Sequence, residues 1–136
     1  MTSLTIRVAC DADQPALTEL VLEAARHYWG QQTDDARHAG QTADALLSGT
    51  SGCTALLALH PDQGAVGFAT YTVLHPAPTP AGTLFMKDLY VANTARSLGV
   101  GQHIMQYLAG LANELGCPRF DWTAETDNPR AIAFYD

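Results

Sequence analysis

Hydrophobic and polar positions change period several times along this chain, and the changes mark its elements. Residues 4–9, LTIRVA, alternate and are rich in β-branched types, which predicts a first strand. Leu17, Leu20, Val21, Ala24 and Tyr28 then recur at helical spacing, so one stripe of a helix should face a core. Asp11 or Asp13 offers its N-cap, Pro15 suits its first turn because the amide that proline lacks would be unpaired there, and the helix is expected to end near Trp29 and Gly30. Thr33, Asp34 and Asp35 form a second capping cluster. Ala36, Ala39, Ala43, Leu46 and Leu47 follow at helical period in spite of Gly40, with Gly49 and Gly52 marking the end.

The period then drops to that of strands. TALLAL, residues 54–59, is short, wholly apolar and bounded by glycine and His60-Pro61, which predicts a buried strand. PDQG, residues 61–64, is a turn into AVGFATYTVL, and the pair reads as a hairpin. The proline-dense HPAPTPAG, residues 75–82, must be a loop. TLFMKDLYV is a nine-residue strand. It feeds the loop ANTARS, then LGVG, then a helix with apolar positions at Ile104, Met105, Leu108, Leu111, Ala112 and Leu115, stopped by Gly116 and Pro118. A further strand and the start of another helix occupy CPRFDWTAETDNPRAIAFY. The meander in the middle implies antiparallel pairing, and the strand, helix and strand from residue 84 to 123 imply a right-handed parallel crossover. The expected fold is α/β: a mixed, mostly antiparallel central sheet flanked by helices, as one domain over residues 1–136.

Composition narrows the classes. A hydrophobic fraction of 47% argues against disorder, while no apolar run approaches the roughly 20 residues of a membrane span. The N-terminus lacks a basic region followed by an apolar stretch, so no secretory signal is read. Cys10, Cys53 and Cys117 are odd in number and without paired spacing, which fits a reducing cytoplasm better than a disulfide framework. A net charge of −7 with only 7 Lys and Arg makes nucleic acid a poor partner and would suit a cationic or amine substrate. The five histidines show no metal-ligand spacing with one another or with cysteine, so no metal is expected.

The candidate chemistry lies at the glycine-bearing loop. A strand that feeds such a loop at a helix N-terminus is an anion site: amides lack intrahelical partners, the dipole favours negative charge, and Gly99 and Gly101 let phosphate oxygens approach the main chain. Arg96 can add a cation. The P-loop nucleotide signature is absent, and the dinucleotide fingerprint is met only in part, with Ile104 where its third glycine belongs and Asp121 where an acidic ribose ligand would stand. The glycines could equally serve only a turn and close helix packing.

Arg96-Ser97-Leu98-Gly99-Val100-Gly101 resembles the R/Q-x-x-G-x-G/A loop of the GCN5-related N-acetyltransferases, placed after a strand of the same DLYV type, Asp88 to Val91. The strand, asparagine and A-I-x-F-Y segment that follow are similar too, closest in flavour to the diamine and polyamine branch. The resemblance implies an N-acetyltransferase using acetyl-coenzyme A. The backbone of residues 96–101 would hold the pyrophosphate, and a bulged strand at Leu89, Tyr90 and Val91 would bond the pantetheine arm. An amide near Leu89 or Tyr90 would face the thioester oxygen, Asn128 would contact the cofactor arm, and Tyr135 would be the general acid toward the thiolate. A fixed N–H aimed at the oxygen where charge builds, and a phenol beside a leaving thiolate of pKa ~8.5, make chemical sense for amine attack on a thioester. On the residues alone, Asn128 is also an N-cap before Pro129, and Tyr135 also a core aromatic at helical spacing from Ile132.

Tyr28, Trp29 and Asp88 are candidate acceptor-binding residues, and His27 and His75 candidate bases. The expected acceptor is a small-molecule or peptide amine. Lys87 departs from the family, many of whose members carry an acidic residue there. The sequence stops at Asp136, one residue after Tyr135, where relatives continue; an omitted tail or a homodimer covering the sheet edge is expected to make up the difference. The rival readings are an inactive acyl-coenzyme A sensor and, more remotely, a dinucleotide-binding domain.

Overall fold

The computed structural model describes residues 3–29 and 36–122. Among the described residues, five strands form one sheet in the order β1 (Thr5–Val8), β2 (Thr54–His60), β3 (Gly64–Leu74), β4 (Thr83–Val91) and β5 (Arg119–Trp122). The first four pair antiparallel and β5 joins β4 in parallel, with Thr83 opposite Arg119 and Met86 opposite Trp122. Helices α1 (Gln14–Trp29) and α2 (Ala36–Leu47) cover one face and α3 (Val100–Leu115) the other. The mixed, mostly antiparallel sheet expected from the sequence is therefore present.

Burial on both faces explains why β2 reads as an unbroken apolar run. Ala55 and Leu57 pack under α1 and α2, whereas Leu56 and Ala58 face α3. On the far side Val100, Ile104, Leu108 and Ala112 bury one stripe of α3. That helix stops in a Schellman motif: Gly116 adopts φ 76°, and Cys117 N–H donates to Ala112 O at 2.9 Å and Gly116 N–H to Asn113 O at 3.1 Å.

Two local differences from the sequence reading have physical causes. Asp13 does not cap α1 directly but closes a 3-10 turn, Asp11–Asp13, where its carboxylate accepts from Cys10 N–H at 2.8 Å and from both Arg7 Nη atoms at 2.7 and 2.9 Å. The stretch read as an open loop, ANTARS, coils into a second 3-10 turn, Asn93–Leu98. The capping cluster Thr33, Asp34 and Asp35, the helix after β5, Asn128 and Tyr135 lie outside the described residues.

Candidate active site

One irregularity in β4 sets up the site. Thr70 pairs with Asp88 and Tyr71 with Met86, which leaves Lys87 as an extra residue on β4. A bulge of one residue reverses which face each later side chain takes. Leu84 and Met86 therefore belong to the cluster under α3 while Tyr90, of the same parity, is buried among α1 residues. The bulge expected in the Leu89–Val91 strand thus falls at Lys87, before those residues.

Past the bulge the backbone of β4 is directed outward. Ala92 N–H donates to Val66 O on β3 at 2.8 Å. By strand alternation the amides and carbonyls of Leu89 and Val91 point away from β3, and β5 pairs with β4 only as far as Met86 among the described residues. The outward edge leads into the 3-10 turn and then Gly99, which adopts φ 74°, ψ 22° as the N-cap of α3. A side chain at Gly99 would meet nothing closer than His103 Nδ1 at 3.8 Å, so this glycine answers a backbone need rather than crowding. His103 N–H makes the first bond of the helix, to Gly99 O at 3.1 Å, and the preceding first-turn amides have no intrahelical acceptor. Val100 and Gly101 are buried, Leu98 packs against the α3 cluster, and Ser97 is exposed.

The helix start is seated on the sheet through Gly67. A Cβ there would lie 3.0 Å from Tyr90 O and 3.1 Å from Val100 Cγ1, so glycine lets α3 begin this close to β3 and β4 without displacing either neighbour.

On the α1 side a polar network joins three elements. Tyr90 hydroxyl donates to Glu23 Oε2 at 2.5 Å, and the same oxygen accepts Asn93 N–H at 2.9 Å. Arg96 donates from Nη2 to the Tyr90 hydroxyl and from Nε to Val91 O, both at 3.3 Å, and lies 5.5 Å over the Tyr90 ring. Burial, followed by the hydrogen bond to Glu23, pushes the Tyr90 phenol up to about 12, so it stays a donor. Glu19, Glu23, Arg26, His27, Tyr90 and Arg96 are among the residues lining a cavity of about 480 Å³ beside this network.

Most of the residues singled out from the sequence converge here. Leu89, Tyr90, Val91, Arg96, Ser97, Leu98, Gly99, Val100 and Gly101 form one continuous path from strand edge to helix start. Tyr28 is 42% exposed, with its ring 6.3 Å from that of Tyr90; the His27 ring is 5.9 Å from it. Trp29 is the last residue of α1, its side chain beyond what is described. Asp88 shares the α1-facing side of β4 and accepts the hydroxyl of buried Thr70 at 2.6 Å, while Lys87 approaches it at 3.3 Å. Two residues are not brought in. His75 contacts Pro80 O in the loop preceding β4, roughly 20 Å along the strand from Leu89. Asp121 pairs in register with Phe85 and forms an ion pair with Arg119 at 3.0 Å, again at the wrong end for a ribose beside Gly99. Glu23 is the residue that sequence reasoning missed. Its one signal is membership of a polar α1 face with Glu19, Arg26 and His27 at helical spacing. Among the described residues, no group of three or more His, Cys, Asp or Glu is placed to hold a metal ion, and no helix is long and apolar enough to cross a membrane.

A bulged strand, unpaired with β5 beyond Met86 among the described residues, that runs into a glycine-pivoted turn and the helix of a parallel crossover defines the class, an N-acyltransferase-type α/β fold. The Acetyltransferase (GNAT) family matches residues 15–136, and the chain belongs to that family. It is similar to the D-amino-acid N-acetyltransferase HPA3 of Saccharomyces cerevisiae (strain ATCC 204508 / S288c), at 35% identity over 71 residues, 52% of this chain and 44% of that one. The match thus spans less than half the length of that curated relative. Among solved structures, the integron cassette protein VCH_CASS6 from the mobile metagenome of V. cholerae is similar, with TM-score 0.85 and 35% identity, covering 98% of this chain and 82% of that chain. AAC(6')-Iy in complex with the bisubstrate analog CoA-S-monomethyl-acetylneamine has TM-score 0.73 at 15% identity, covering 98% of this chain and 87% of that one. The last likeness is one of fold alone.

Proposed function

We propose that this chain transfers the acetyl group of acetyl-coenzyme A to a primary amine of a small molecule or peptide, by direct attack of the amine on the thioester. The observation that carries the reading is the unbroken path from the outward-facing Leu89 and Val91 main chain to the left-handed Gly99 and the open first turn of α3. The open space at Gly99 and the helix-start amides without an intrahelical acceptor suit a pyrophosphate. Acetyl-coenzyme A supplies the activated carbonyl.

The chain's own residues do the rest. The outward Leu89 amide stabilises negative charge as it builds on the carbonyl oxygen, and residues 96–101 hold the phosphates. By family resemblance Asn128 contacts the cofactor arm and Tyr135 protonates the departing sulfur. The acceptor arrives as an ammonium of pKa about 10.4 and must lose a proton before it attacks. Its binding wall is the α1 end, with Tyr28, Trp29 and Asp88, and His27 is the side chain there suited to take a proton. The domain occupies the whole of residues 1–136, works in the reducing cytoplasm and forms a homodimer, which light scattering after size-exclusion chromatography would check.

The test is thiol release from acetyl-coenzyme A with a panel of primary amines. D-amino acids belong in it because of the substrate class in the name of HPA3. Turnover with at least one amine is expected. Binding of acetyl-coenzyme A without turnover on any amine would replace this reading with that of an acyl-coenzyme A sensor.

A further inference from the structure

The 3-10 turn Asn93–Leu98 begins without a cap of its own. Its N-cap residue is Ala92, which has no side-chain oxygen and makes no side-chain cap hydrogen bond. The acceptor comes from another element: Glu23 Oε2 on α1 receives Asn93 N–H at 2.9 Å across 70 residues of sequence. We propose that Glu23 is a positioning residue for coenzyme A binding, capping this turn from α1 and so fixing the direction in which Gly99 and the start of α3 present their amides.

Three observations support it. The capping oxygen is itself held, since Tyr90 hydroxyl donates to it at 2.5 Å and Tyr90 is 4% exposed. Arg96, the fourth residue of the turn, is anchored to the same hydroxyl and to Val91 O. The turn is therefore fastened at its first residue and in its middle to side chains and backbone that belong to α1 and β4. Finally, Leu98 ends the turn directly before Gly99, so a tilt of the turn moves the cradle. A carboxylate beside an anion site would by itself weaken anion binding. Here it accepts two hydrogen bonds and sits against a hydroxyl shared with Arg96, which offsets that charge. The capping function needs an acceptor oxygen rather than a charge.

The proposal rests on the reading of the Gly99 cradle as the coenzyme A site, and the experiment separates the two. Glu23→Gln keeps an acceptor oxygen, Glu23→Met keeps the length and packing without one, and Glu23→Ala removes both. Coenzyme A affinity by calorimetry and steady-state KM and kcat for acetyl-coenzyme A are measured on the full chain. Hydrogen exchange is followed in peptides spanning residues 92–101. Loss of one cap is expected to raise Kd and KM about five- to tenfold in the Met and Ala variants, with kcat within about twofold of wild type. Exchange over 92–101 should quicken in the same two variants, and Gln should restore both to near wild type. Met is the variant that decides if Ala does not fold. Wild-type affinity and exchange in Glu23→Met, or equal losses in Gln and Met, would overturn the proposal. If wild-type protein binds no coenzyme A, the cradle reading and the binding role of Glu23 both fail; unchanged exchange with wild-type binding intact sinks the cap alone.

Discussion

Gly99 is the residue on which the cradle turns. Its φ of 74° is costly for any side chain, yet the space around it is open, so Gly99→Ala strains the backbone without a clash. We expect a stability loss of ~1–2 kcal/mol and a raised KM for acetyl-coenzyme A, read by thermal denaturation and initial rates. Tyr90 gives a second prediction at this scale. With its phenol pushed up to about 12 by burial and then by Glu23, the neutral form is the one the fold holds. The stability this confers is complete below the unfolded value near 10 and is lost as pH rises through about 12. Alkaline unfolding should begin above about pH 10, and Tyr90→Phe should shift that limb to higher pH in a urea titration. Gly99 and Arg96 were legible in the sequence because their spacing follows the strand by a fixed interval. Glu23 was not, because an acidic residue on a polar helix face reads as solvated until its partners, 67 and 70 residues away, are known.

Among the elements, β4 carries the site because its bulge turns Tyr90 toward α1 and leaves Leu89 and Val91 facing outward. Nothing in MKDLYV announces that extra residue: Met86, Asp88 and Tyr90 alternate without interruption, and only the register against β3 shows that Lys87 is skipped. The strand and helix boundaries, by contrast, followed from glycine, proline and apolar period, as at Gly99, Gly116 and the run TALLAL. Gly67→Ala tests how α3 is seated. Its methyl would crowd Tyr90 O and Val100 Cγ1, so a loss of about 1–3 kcal/mol in chemical denaturation is expected, with weaker acetyl-coenzyme A binding. The β1-to-α1 connection is tested by acid. The Arg7 hydrogen bond holds the Asp13 carboxyl well below the usual carboxylate range. Its contribution is present above the unfolded value near 3.9 and is lost as pH falls through the lower folded value. Asp13→Asn should therefore lower stability at pH 7 and converge progressively with wild type as the pH is taken from about 4 down through the folded value, measured by urea unfolding.

For the molecule as a whole, three layers bring the glycine cradle of α3 and the polar face of α1 to the same end of β4, from opposite sides of the sheet. On the proposed function, one side would hold the anionic carrier and the other would receive a cationic acceptor, in keeping with the net charge of −7. The antiparallel pairing of the meander and the parallel pairing of β5 with β4 were legible because a hairpin-linked run of strands and a strand–helix–strand unit leave few topologies. Which residues meet across the layers was not, since that depends on the bulge and on contacts between distant elements. The measurement that tests the central claim most directly is mass spectrometry of amine panels incubated with the protein and acetyl-coenzyme A, read beside thiol release. The account predicts an N-acetylated amine formed in equal amount to free coenzyme A, dependent on the protein; absence of any acetylated amine across the panel would contradict it.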